Sequence, residues 1–98
     1  MPAPTAQDFR RELNNIFDIF MKIQSYQGAV INIPAYIEIN AGGLHKRLGY
    51  YPGNNHRMPN CCSVMKQCMK SDDTIVEQPS SGQGASLTIR YQLPRPLC

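Results

Sequence analysis

Apolar side chains recur at Phe9, Leu13, Ile16, Phe17, Phe20 and Ile23, steps of three and four that place them on one face of a helix. Thr5 followed three residues later by Asp8 forms a capping box with Asp in place of the usual Glu, so a helix is predicted over residues 5–25. Ile19 and Met21 fall off this stripe; they read as exposed or as widening the face for a partner subunit, exposure being favoured. Gln27-Gly28 breaks the helix. Residues 30–34 are an extended linker or a short edge strand, because Pro34 cannot donate to a ladder. Residues 36–39 have the alternation of a strand.

The period then returns to helical. Asn40 is a good N-cap for a helix over residues 41–48, with Leu44 and Leu48 facing inward and Gly49 placed as a left-handed terminator. Gly42 and Gly43 lower helix propensity and mark either a close backbone approach or a weak helix start. Residues 50–55 are rich in turn formers, after which Asn55 or His56 caps a second helix with Pro59 in its first turn. On it Met58, Cys61, Cys62, Met65, Cys68 and Met69 make an apolar stripe and leave Arg57, Asn60, Ser63, Lys66, Gln67 and Lys70 outside. From Thr74 the period changes to two. Residues 74–77 and 85–93 read as a hairpin around a glycine-rich tip, with Leu87, Ile89, Tyr91 and Leu93 on one face. The fold is expected to end at Leu93, since Pro94 and Pro96 prevent extension of the sheet.

Ninety-eight residues form a single domain over 1–98, and no apolar run approaches the roughly 20 residues that cross a bilayer. The first residues lack the basic and apolar regions of a signal peptide, which points to the cytoplasm, and there the four cysteines read as thiols. The net charge of +3 is modest, but Lys46, Arg47, Arg57, Lys66 and Lys70 face only Glu38 between residues 38 and 70, so the basic excess falls on the two-helix unit.

Helix, strand, helix, turn, helix and hairpin in this order resemble the winged helix-turn-helix superfamily over residues 5–93. The string from Gly43 to Met65, with that from Gly84 to Tyr91, is also similar to small bacterial proteins of mobile elements and integron cassettes, a likeness that implies no activity. The first resemblance implies an α+β winged helix: a long N-terminal helix, a short strand, the helix-turn-helix and a C-terminal β-hairpin wing. It further implies that residues 57–70 enter the major groove of double-stranded DNA and residues 78–84 form the wing. Winged helices also serve as protein-interaction modules, which is the alternative, and the wing tip here carries no Lys or Arg.

The candidate DNA-binding residues are Lys46, Arg47, Arg57, Asn60, Ser63, Lys66, Gln67 and Lys70, with Gln78, Ser80, Ser81 and Gln83 on the wing. Arg, Asn and Gln can address base edges while Lys and Ser reach phosphates. So small a basic surface implies a homodimer on two half-sites. His45, His56, Cys61, Cys62 and Cys68 suffice in number for zinc, but three cysteines lie among methionines on one stripe without a C-x-x-C pair, so no metal is expected. A redox role for Cys61 and Cys62 competes with burial as inert thiols. His45 with Lys46 and Arg47, or His56 with Arg57, lacks an accompanying carboxylate cluster, and Asp72-Asp73 read as turn formers. The chain therefore reads as no enzyme, without cofactor, small-molecule substrate or membrane partner.

Overall fold

The structure, a computed structural model, describes residues 3–27, 36–49, 51, 53 and 56–98, with side chains of the first segment through Ile23. The chain runs α1 (Ala6–Gln27), β1 (Tyr36–Asn40), α2 (Ala41–Leu48), α3 (Met58–Gln67), β2 (Thr74–Glu77) and β3 (Thr88–Gln92). It is a small α+β fold whose three strands form one antiparallel sheet in the order β1-β3-β2. The extended reading of residues 30–34 and the cap reading of Asn55 lie outside the described residues.

The capping box closes α1 as its spacing predicts: the Thr5 amide donates to Asp8 Oδ2 at 2.8 Å and the Asp8 amide to Thr5 Oγ1 at 3.2 Å. Phe9, Leu13 and Phe17 are fully buried, but Phe20 and Ile23 are 43% and 42% exposed, against the expected stripe. The cause is geometric. The core follows steps of four, and each such step rotates about 40° around a helix of 3.6 residues per turn, so the line through 9, 13 and 17 continues to Met21. Met21 is accordingly packed against the core, whereas Ile19 joins Phe20 and Ile23 outside.

Asn40 caps α2 by accepting from the Gly43 amide at 3.0 Å, and its own side-chain amide donates to Thr88 on β3. Gly42 marks a close approach: a Cβ there would sit 3.1 Å from the Ala85 Cβ and 3.2 Å from its carbonyl oxygen. Gly43 has no such neighbour, its nearest being Asn40 Oδ1 at 3.9 Å. Gly49 ends α2 at φ 90°, where a side chain would be strained. The same approach shortens the last strand. The carbonyls of Ala85 and Leu87 accept from the Gly42 and Ala41 amides at 3.0 and 2.8 Å, so residues 85–87 serve the helix start instead of the ladder, and β3 begins at Thr88. The predicted inward face is nevertheless kept, with Leu87, Ile89, Tyr91 and Leu93 all buried.

The fold does not end at Leu93. Arg95 is buried, its Nη1 within 2.9 Å of Asp73 Oδ2, its Nη2 donating to the Cys68 carbonyl at 2.6 Å. Asp73 is thus no mere turn former; it also accepts from the Lys70 and Gln92 amides. Prolines on either side of Arg95 keep the segment out of the sheet but leave it free to lie over the α1–α3 junction, where the guanidinium stacks on Phe17 and Tyr91. Cys68 and Cys98 are joined by a disulfide with Cα atoms 5.4 Å apart. The reading of all four cysteines as thiols is corrected for this pair, and the pairing arises because the tail folds back onto the end of α3.

Candidate functional site

Helix α3 begins at Met58, one residue after Arg57, which occupies the cap position without a side-chain cap bond; Pro59 stands in the first turn. Met58, Cys61, Cys62, Val64 and Met65 are buried, and Tyr91 on β3 donates its hydroxyl to the Met65 carbonyl at 2.8 Å. Asn60 and Gln67 are exposed and Ser63 and Lys66 half-buried on the opposite side. Cys68 terminates the helix, so Lys70 lies in the turn beyond it.

His45 holds this helix to the one before it. Its ring is fully buried, Nε2 accepting from the Arg57 amide at 2.8 Å and Nδ1 within 3.0 Å of the Gly49 carbonyl. That pairing, one donor and one acceptor, requires the neutral Nδ1–H tautomer. The Phe9 ring packs edge-on at 5.0 Å. A histidine whose sequence context admits a metal ligand or an acid–base group therefore spans the turn between α2 and α3. No periodic signal marks it, since the partner groups are backbone atoms 4 and 12 residues away.

Several expected contact residues are engaged internally. Lys66 Nζ donates to the Gly82 carbonyl at 2.6 Å, so it fastens the tip of the β2–β3 loop to α3 rather than projecting freely. Gln67 accepts from Arg10 of α1 at 2.8 Å. Arg47 pairs with Glu12 at 2.7 Å and lines a groove formed by residues of α1, β1 and α2. Arg57 is exposed and donates to the His56 carbonyl. Lys46 and Lys70 are exposed. On the loop, Gln78, Ser80, Ser81 and Gln83 are all exposed; Ser81 donates to the Gln83 carbonyl at 2.8 Å, and Gly82 turns at φ 80°.

The charge pattern follows from these pairings. Arg11, Lys22, Arg47, Arg90 and Arg95 form ion pairs with Asp8, Asp18, Glu12, Glu38 and Asp73. Arg10 and Lys66 instead bond to neutral acceptors, the Gln67 side chain and the Gly82 carbonyl, beside α3. Arg10 is absent from the set that the sequence suggests, because its partner Gln67 lies 57 positions away. The face so assembled joins Arg10, Asn60, Ser63, Lys66 and Gln67 to the loop tip.

The cysteines and the second histidine do not converge. Cys61 Sγ faces the Ala41 carbonyl and Cys62 Sγ the Gly84 carbonyl, at 3.6 and 3.4 Å, and burial pushes the Cys61 thiol up to about 12. Burial raises Cys62 as well, the Gly84 hydrogen bond and Lys66 opposing it. Among the described residues no three His, Cys, Asp or Glu side chains gather as metal ligands would. No described helix is long and apolar enough to cross a membrane.

Between α1, β1 and α2, Ile16, Ile19, Phe20, Ile37, Ile39 and Leu44 line an open groove of about 490 Å³, whose lining also includes Arg47 and Glu38. No protein-family model matches the chain, and no curated protein or solved structure is significantly similar to it.

Proposed function

We propose that this chain is a winged-helix, non-catalytic DNA-binding module of the cytoplasm, in which α3 enters the major groove and the β2–β3 loop is the wing. The observation that carries the reading is the Lys66–Gly82 bond, which makes the outer face of α3 and the loop tip one surface, flanked by Arg10 and Lys70. The strand order β1-β3-β2 behind a helix-turn-helix supports the same architecture. Asn60, Ser63 and Gln67 offer hydrogen-bonding groups for base edges or phosphates, while Arg10 and Lys70 supply phosphate contacts. The surface carries few cations for a duplex, so the bound unit is a homodimer on two half-sites. The groove beside α1 favours a second reading, the same fold used to bind a protein.

The two readings separate in a titration against mixed-sequence duplex at two salt concentrations. Affinity that falls with salt supports DNA binding, and replacing Arg10 or Lys70 by Glu should then lower the salt slope by about one for each phosphate left without its cation. Lys66→Met removes the bond to Gly82, so it should free the loop from α3 and weaken binding through loss of the joined surface. Absence of binding at low salt by folded protein would sink the DNA reading and leave the protein-binding one.

A further inference from the structure

The segment 94–98 lies along α1 and the end of α3, and its fastenings differ in kind. Arg95 is locked in a buried ion pair with Asp73. Cys98 is exposed; its amide donates to Asn14 Oδ1 at 2.7 Å and its carbonyl accepts from Asn14 Nδ2 at 3.0 Å. The disulfide runs from this exposed residue to Cys68, which is 4% exposed at the end of α3. We propose that Cys68–Cys98 is a reversible thiol–disulfide exchange site, opened by a dithiol reductant in the folded protein, which releases residues 96–98 while Arg95 stays docked.

The asymmetry of exposure sets the course of the exchange. A reductant thiolate approaches the Cys98 sulfur; a bond forms from it to Cys98 Sγ, the Cys68–Cys98 bond breaks, and Cys68 leaves as a thiolate that takes up a proton. The reductant's second thiol then attacks its own sulfur in the mixed disulfide, expelling the Cys98 thiolate, which is protonated in turn. Two electrons and two protons pass to the protein, and the dithiol leaves as a disulfide. Once the covalent link is open, the two Asn14 bonds hold Cys98, and both are exposed to competing water. The ion pair of Arg95 does not depend on the sulfur atoms, so the core under it persists. Cys61 and Cys62 take no part: they are buried, and a thiol held at about 12 supplies almost no thiolate near neutral pH. Thioredoxin-type dithiols of a reducing compartment are reductants of the required class.

The site is tested on the full chain by alkylation and intact mass, without DNA, so that its failure and that of the DNA reading are separate results. Protein treated with oxidised glutathione should resist iodoacetamide at all four cysteines. After native dithiothreitol treatment Cys98 should be labelled on the order of a thousandfold faster than Cys61, from the thiolate fractions of an ordinary thiol and one at about 12. Helical circular dichroism should be unchanged, amide exchange should rise at Leu97 and Cys98, and Cys98→Ser should abolish the fast label. A disulfide that opens only after denaturant is added would overturn the proposal, as would loss of the fold on reduction or failure of the oxidant to form the bond.

Discussion

Two ends of the helical layer invert what their residue types lead one to expect. Where the tail crosses α1 and α3, the charged residues Asp73 and Arg95 are buried; beside the C-terminal half of α1, the apolar residues Ile19, Phe20 and Ile23 are exposed. The difference lies in what each region offers as partners. Asp73 accepts two backbone amides besides Arg95, and Arg95 donates through Nη1 and Nη2 to Asp73 and the Cys68 carbonyl, so most of the pair's hydrogen-bonding capacity is met and, among the described residues, only Arg95 Nε is buried without a partner. Phe20 and Ile23 meet no second layer among the described residues, because the core line on α1 has rotated past them. Residue type sets what a side chain needs, and the neighbouring elements decide whether the need is met.

The sharpest way to break this contrast is on its polar side. Arg95→Ala should destabilise the protein by about 3–5 kcal/mol in chemical unfolding, because it leaves the Asp73 carboxylate buried without its partner. The double variant with Asp73→Leu should recover only part of that loss, since the Lys70 and Gln92 amides then lose their acceptor. Full recovery would mean that the ion pair alone, and not the backbone it organises, holds the tail.

A much smaller effect is expected on the apolar side. Phe20→Glu should cost clearly less than the several kcal/mol expected of the same change at the fully buried Phe17. A large loss of stability for Phe20→Glu would show that the groove is covered in solution, and its dependence on protein concentration would identify a second copy as the cover.

The smallest predicted effect belongs to the capping box. The Thr5 hydrogen bonds, first from its amide and then from its hydroxyl, hold the Asp8 carboxyl below its ordinary value, with Arg11 assisting and desolvation opposing. A carboxyl lowered by folding stabilises above its unfolded value near 3.8, and the contribution is lost as pH falls through the lower folded value. Asp8→Asn should therefore narrow the gap between melting temperatures measured at pH 6 and pH 3, chiefly by lowering the former.

The local elements were legible because they rest on local physics. The Thr5–Asp8 box, the Asn40 cap, the Gly49 terminator and the alternation from Leu87 to Leu93 each involve groups within a few residues, so spacing alone determined α1, α2, the inward face of β3 and the α+β class. Tertiary structure decided everything that depends on meeting a distant group. It turned Phe20 and Ile23 outward, gave Lys66 to Gly82 and Arg47 to Glu12, brought Arg10 to Gln67, and set His45 across the turn. It also bound Asp73 to Arg95 and Cys68 to Cys98 across 22 and 30 residues. Periodicity records which face of an element is apolar; it carries no term for which polar group on another element lies within hydrogen-bonding reach.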